Sequence, residues 1–389
     1  MNYHAAHDIG HALQEYMLVG CSSFAAWDTQ TADSTLLVGR NFDFWVGDDF
    51  ARNKLVTFCR PEKGYSFASV GWAGMCGVLS GMNTEGLTIT LNAAKGPLPV
   101  RVATPISLLA RTILQYAATI DEALAITDTT RTFVSESLLI ASAHDRKAVI
   151  IEKTSRRTEL YSPDAERIRC TNHYQADAFI DDPYNQENIA TTDSRYRFER
   201  LGELMDSFRP LNPVRAAAVL RDRRGVGDTD IGLTNEKSVN QAIAYHAVVF
   251  QPEKLLMWVS SDPWQAGPMI CYDLNHIFTA DHLERLDCPD REIPADERFL
   301  TEDYPRIVRF RAGVDLLRDA IRTGAAAEKT VKELLSDNPC YFGAWDACGD
   351  YFAARDEADH ARTCWKQALR LEIPRVRERK AIEQKLNRL

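Results

Sequence analysis

The chain has no apolar run approaching the roughly 20 residues that a bilayer-crossing helix needs, so no segment reads as a membrane span. It has no CxxC pair: its nine cysteines stand at positions 21, 59, 76, 170, 271, 288, 340, 348 and 364, an odd and scattered set. Such a set argues against both a disulfide framework and a cysteine zinc site. It also lacks a basic excess, since 46 Lys and Arg against 55 Asp and Glu leave a formal charge of −9. That balance disfavours nucleic acid or an anionic membrane as the main partner. No HExxH pattern is present either. His7 and His11 are four apart, but Asp8-Ile9-Gly10 lies between them, so neither a metal nor a cofactor is expected. Finally, the first 20 residues contain no Lys or Arg and carry Asp8 and Glu15, the wrong chemistry for a secretory signal. This reading places the protein in the cytoplasm when Met1 is the natural start, and outside it when an upstream leader has been removed.

What is present is a chain of 389 residues, 45% hydrophobic and 26% charged, able to bury one large core and carry an extra module. Near its start stands Gly20-Cys21-Ser22-Ser23-Phe24, followed by a hydrophobic run and Gly39-Arg40-Asn41-Phe42-Asp43. Cleavage between Gly20 and Cys21 would give Cys21 a free α-amino group, and an amine of pKa near ~8 can take the thiol proton without a histidine. Arg40 beside the sulfur would favour the thiolate. Asp43, taken to share a strand face with Arg40, would accept hydrogen bonds from the new amine, with Asn41 facing the other way. The other eight cysteines read as buried apolar fillers. His173 and His246 are candidate bases. With the amine in that role, each reads instead as a hydrogen-bonded strand histidine.

The body reads as β-hairpins interrupted by helices. Phe67 to Leu79 pairs with Leu87 to Asn92, Ser137 to Ala143 with Lys147 to Glu152, and Ala244 to Phe250 with Leu255 to Ser260. Pro105 to Tyr116, Ile120 to Thr127, Arg195 to Phe208 and Pro213 to Asp222 have helical character. This alternation favours an α+β layered core over a doubly wound parallel sheet. Beyond about residue 280 the chain becomes charged and proline-punctuated, then helical. There Trp345, Cys348, Gly349, Phe352, Ala361, Trp365, Ala368 and Pro374 keep the spacing of a tetratricopeptide repeat. One and a half such units cannot bury a core alone, so the module is expected to pack on the body, either for packing or as a protein-docking surface.

Four motifs, taken in order, resemble the cysteine-type N-terminal-nucleophile hydrolases, the superfamily of choloylglycine hydrolases, penicillin V acylases and the acyltransferase that finishes penicillin. They are Cys21 with Arg40 to Asp43, Gly81-Met82-Asn83-Thr84-Glu85-Gly86-Leu87 with Leu91-Asn92, Thr171-Asn172-His173-Tyr174, and Ser194-Arg195-Tyr196-Arg197. The resemblance covers roughly residues 20 to 278. It implies a four-layer αββα sandwich with a C-terminal α-helical appendage. It also implies Asn172 as oxyanion-hole asparagine, the backbone N–H of Asn92 as a second donor, and either Arg195 or Arg197 as a second site arginine. The expected organisation is a leader or propeptide over 1–20, a catalytic domain over 21–280, a linker over 281–305 and the helical module over 306–389. The expected function is an amidohydrolase or acyltransferase that cleaves a linear, non-peptide N-acyl amide through an acyl-enzyme on Cys21, after self-cleavage at Gly20-Cys21. Two alternatives stand beside it. One is a silent scaffold docking a protein partner, or itself, through the tail; the other is a peptidase with His173 or His246 as base.

Overall fold

Alternation along the first two strands divides the molecule into layers. In β1 (Ser22–Asp28), Phe24 and Ala26 join Leu201, Leu204, Ala216 and Val219, whereas Ala25 and Trp27 join Val70, Met82, Leu139 and Ile150. In β2 (Ser34–Asp43), Leu37 enters the first cluster while Leu36 and Val38 enter the second. Successive side chains of a strand point to opposite faces, so a sheet buried on both sides must be apolar at nearly every position. The computed structural model describes residues 20–45, 51–97, 103–282 and 284–389, so His7 and His11 lie outside the described residues.

Two antiparallel sheets result. The first has six strands in the order β10 (Arg167–Cys170), β1, β2, β11 (Ala244–Gln251), β12 (Leu256–Ser260) and β13 (Met269–Asp273). The second has seven in sequence order, β3 (Leu55–Cys59), β4 (Phe67–Gly71), β5 (Ser80–Asn83), β6 (Leu87–Ala93), β7 (Glu136–Ser142), β8 (Lys147–Lys153) and β9 (Thr158–Tyr161). Helices α1 (Ile106–Tyr116) and α2 (Ile120–Thr129) cover the outer face of the second sheet, with Ile106, Leu109 and Ile113 packed on Leu87, Ile89 and Leu138. Helices α3 (Pro183–Thr191), α4 (Ser194–Ser207) and α5 (Pro213–Leu220) follow β10, and the last two cover the outer face of the first sheet. The architecture is an αββα sandwich.

The hairpins at 137–152 and 244–260 form at the expected places. The long arm expected from Phe67 to Leu79 does not: it splits into β4 and β5, because the chain leaves the sheet over Trp72–Leu79 and returns to pair with β6. Residues 281–305, expected as a linker, are laid against the body by two apolar anchors, Ile293 and Phe299, both buried. Ile293 exchanges backbone bonds with Met269 of edge strand β13, and Cys288 N donates to Cys271 O. A short helix α6 (Leu274–Thr279) precedes this stretch, and α7 (Tyr304–Thr323), α8 (Glu328–Asp337), α9 (Phe342–Ala353), α10 (Ala358–Ala368) and α11 (Val376–Arg388) follow it. Gly349 lets α9 and α10 approach, since a Cβ there would lie 2.4 Å from the Trp365 indole nitrogen. Asn338 ties the tail to the body by accepting from Leu233 N at 2.8 Å and donating to Leu233 O at 2.9 Å. Of the eight cysteines expected as fillers, Cys170, Cys271, Cys348 and Cys364 are buried, Cys59, Cys288 and Cys340 are half-buried and Cys76 is exposed. Among the described residues no helix is long and apolar enough to cross a membrane.

The β1–β2 pairing sets Phe24 opposite Gly39, and the Phe24 ring lies across the glycine where a Cβ would come within 2.4 Å of it. We predict that Gly39→Ala, by forcing that ring aside in a filled core, lowers the unfolding free energy by about 1–3 kcal/mol. The change is read as a lower urea midpoint at unchanged slope.

Candidate active site

Cys21 sits at the start of β1, fully buried among Phe42, Leu91 and Tyr245. Strand pairing sets Ser23 opposite Arg40, so the nucleophile candidate and the guanidinium share one end of the sheet. Arg40 Nη2 donates to Cys21 Sγ at 3.5 Å and to Leu91 O at 2.5 Å, and Nη1 donates to Ser80 Oγ at 2.7 Å and reaches His246 Nε2 at 3.1 Å. Its guanidinium also lies 4.5 Å from the centre of the Phe42 ring, a cation–π contact. Among the described residues, Arg40 is the one group that hydrogen-bonds the sulfur. Burial nonetheless pushes the Cys21 thiol up from its ordinary value, against the downward pull of Arg40, with Asp43 and Glu136 adding to the rise. With Gly20 attached, burial thus favours the thiol form of Cys21; the expected thiolate belongs to the form whose α-amine is free.

Asp43 departs from expectation. It stands three residues from Arg40, and period-2 alternation puts the two on opposite faces of β2. Asp43 instead shares a face with Asn41, whose Nδ2 donates to Leu220 O at 2.8 Å and Val239 O at 3.0 Å on the helical side. Among the described residues, neither buried Asp43 carboxylate oxygen has a hydrogen-bond partner. Burial pushes its pKa up to about 8, although Arg197 and Arg40 pull it down. Its backbone carbonyl accepts from Gly20 N at 3.1 Å, which puts Asp43 beside the Gly20-Cys21 junction.

The tandem arginines separate cleanly. Arg195 lies on the exposed face of α4, paired with Glu199 at 2.9 Å, and is not part of the cluster. Arg197, fully buried, donates from Nη1 to Cys21 O at 2.7 Å and Ser22 Oγ at 3.0 Å, from Nη2 to Asn172 Oδ1 at 2.7 Å, and from Nε to Asp193 at 3.2 Å. Asn172 in turn donates from Nδ2 to Ala93 O at 2.7 Å and from its backbone N–H to Ser194 Oγ at 2.8 Å. One of its two amide hydrogens is thus left for another acceptor. The Asn92 side chain is spent on structure, accepting from Ser23 Oγ at 2.7 Å and donating to Cys170 O at 3.1 Å, and its backbone pairs with Ser137 in the β6–β7 ladder, so the backbone N–H expected as a second oxyanion donor is turned to the sheet.

Neither histidine bonds the sulfur. His173 Nδ1 lies 2.8 Å from Ser194 Oγ and 3.1 Å from Thr171 Oγ1, and burial, with Arg195 next, holds its pKa at about 4. Burial, then Arg40, keeps His246 well below its ordinary value; it is a neutral acceptor for Arg40 and Ser80. Among the described residues, no His, Cys, Asp and Glu side chains are grouped to hold a metal ion. Sequence reasoning missed the parts played by Ser80, Asp193 and Ser194. The Asp193–Arg197 pair alone had a local signal, the four-residue helical spacing.

Two stacked antiparallel sheets with helices outside, and an arginine-supported cysteine opening the first strand, are the architecture of the N-terminal-nucleophile cysteine hydrolases. Residues 29–263 match the family described as Acyl-coenzyme A:6-aminopenicillanic acid acyl-transferase, and the chain belongs to that family. The match takes in Arg40, Asn92, Asn172 and Arg197 and begins after Cys21. An uncharacterized protein of Archaeoglobus fulgidus is 24% identical over 281 residues, which are 65% of this chain and 46% of that protein; the chain thus spans about half the length of the curated relative it matches. Among solved structures, the Caenorhabditis elegans N-acylethanolamine-hydrolyzing acid amidase ortholog is 18% identical, with a TM-score of 0.44 over 60% of this chain and 93% of that one. A mutant of the conjugated bile acid hydrolase of Clostridium perfringens is 12% identical, with a TM-score of 0.43 over 65% and 92%.

The raised pKa of Asp43 has a definite sign. An acid whose folded pKa lies above its unfolded value binds its proton more tightly when folded, so stability falls as pH rises from about 4 through about 8. In a Cys21→Ala chain, which keeps Gly20 attached, Asp43→Asn should leave the melting temperature nearly unchanged at pH 4 and raise it at pH 8.5. Thermal melts at the two pH values check this.

Proposed function

We propose that this chain is an amidohydrolase or acyltransferase in which Cys21, its amine freed by cleavage of Gly20-Cys21, attacks a linear, non-peptide amide. One observation carries the reading: the Arg40 guanidinium lies against the Cys21 sulfur while a buried Asp43, whose carboxyl has no hydrogen-bond partner among the described residues, stands at the Gly20-Cys21 junction. Such an acid ionises readily only when a cation comes beside it, because an unpaired buried charge costs several kcal/mol. The ammonium released at Cys21 is that cation. Family membership supports acyl-transfer chemistry, since the family is described as an acyl-coenzyme A:6-aminopenicillanic acid acyl-transferase.

In this reading the free amine takes the thiol proton, Arg40 stabilises the thiolate, and the sulfur attacks the substrate carbonyl. The spare amide hydrogen of Asn172 takes the charge that develops on oxygen. Arg197 positions Asn172 by fixing its Oδ1. The amine product leaves with the proton, and water or a second amine takes the acyl group from the sulfur. The histidine-base alternative has lost its support, because His173 and His246 are bonded elsewhere. The tail takes a packing role, since Asn338 and Arg311 hold the backbone of Leu233 and Ala242.

Intact mass and N-terminal sequencing of the purified protein should find a chain beginning at Cys21, with Cys21→Ala retaining the residues before it. A catalytically active protein that keeps those residues would overturn the reading. On an N-acyl amide, Asn172→Ala should lower kcat by about 10²–10³ with little change in KM, because its donor matters only once the oxyanion forms. Steady-state kinetics decide it, and an effect on KM alone would make Asn172 a substrate-binding residue.

A further inference from the structure

Gln241 has no place in the site as drawn so far, yet its side chain touches the bond that must break. It is 1% exposed and lies in the irregular segment ahead of β11. Nε2 donates to Glu236 O at 3.1 Å and to Gly20 O at 3.4 Å. The first bond fixes the amide plane; the second aims its other hydrogen at the carbonyl of the Gly20-Cys21 peptide. Gly20 is shaped for this approach, since a Cβ there would lie 2.5 Å from Gln241 Nε2 and 2.9 Å from Oε1. On the opposite side, Gly20 N donates to Asp43 O at 3.1 Å. The residue before Cys21 is therefore held at both its N–H and its carbonyl.

We propose that Gln241 is the oxyanion donor for cleavage of the Gly20-Cys21 bond, an assignment that rests on Cys21 being the nucleophile of that cleavage. The thiol of Cys21 reaches the preceding carbonyl carbon through a five-membered ring. Attack forms the S–C bond and drives the carbonyl electron pair onto Gly20 O, where the Gln241 N–H meets it. Collapse breaks the C–N bond; the departing nitrogen takes the thiol proton and becomes the α-amine of Cys21. Water then adds to the thioester, the S–C bond breaks, the sulfur regains its proton and the leader departs with a carboxylate on Gly20. The long ground-state contact suits the role. A donor that is slack against the planar carbonyl and closes on the tetrahedral oxygen stabilises the transition state more than the starting amide.

The test follows the intact mass of the full-length chain with time after synthesis. Gln241→Met keeps the side-chain length and removes the donor, so leader release should slow by about 10²-fold while the melting temperature shifts only slightly. Gly20→Ala, which leaves the Gln241 segment untouched, should slow release in the parent chain by displacing the amide. Placed on Gln241→Met, it should add little, a non-additivity expected only of groups that act together. Release at the parent rate in Gln241→Met, or losses that multiply in the double variant, would overturn the assignment of Gln241 alone. A parent chain that is active and never releases its leader would overturn the proposed nucleophile mechanism with it.

Discussion

A guanidinium is buried between two sheets, and much of the surrounding architecture answers to it. Arg40 is fully buried, and taking such a cation out of water costs several kcal/mol unless its N–H groups find acceptors. Leu91 O, Ser80 Oγ, His246 Nε2 and the Cys21 sulfur serve Nη1 and Nη2, the Phe42 ring adds a cation–π contact, and Nε has no partner among the described residues. These partners come from β2, β5, β6, β11 and the residue just before β1, so the two sheets must stack in one register for the charge to be tolerated. Burial lowers the pKa of Arg40, but a guanidinium does not titrate in proteins. The stack thus carries a permanent positive charge with a sulfur as one of its acceptors.

The second buried arginine completes a two-sided arrangement around Cys21. Arg40 approaches the side chain from between the sheets, and Arg197 approaches the carbonyl from the helical layer. Asp43 and Asp193 balance them unequally: Asp193 is bonded to Arg197, whereas among the described residues the Asp43 carboxyl has no hydrogen-bond partner. Burial pushes both the Asp43 carboxyl and the Cys21 thiol toward their protonated forms, against the pull of the two arginines.

Much of this could be read from the chain. Apolar runs bounded by turn residues marked the hairpins at 137–152 and 244–260, and the spacing of Cys21 and Arg40 identified the charged pair. The choice between Arg195 and Arg197 was also encoded: Arg197 precedes Leu201 and Leu204 by four and seven residues, the spacing of one helix face, and those leucines are core residues. Asp43 stands an odd number of residues from Arg40, so strand parity places it on the face of Asn41, against the expectation that it shares Arg40's face. The rest depended on long-range pairing that carries no local signal. His246 reaches Arg40 because β11 sets it opposite Phe42, on the face of β2 that Arg40 shares, and nothing in Ala244-Tyr245-His246 announces that pairing. Gln241 meets Gly20 because β1 and β11 both flank β2, and the residues just ahead of each lie beside its Asp43 end.

The segment from Leu233 to Ala242 is gripped from two directions. Asn41 and Gly20, from the start of the chain, bond Val239 and Gln241; Asn338 and Arg311, from the end, bond Leu233 and Ala242. The surroundings of residue 20 therefore draw on α7 and on the turn after α8. A polypeptide lacking everything from Arg311 onward would carry every group of the charged cluster yet lose two of the bonds that hold the segment bearing Gln241 in place.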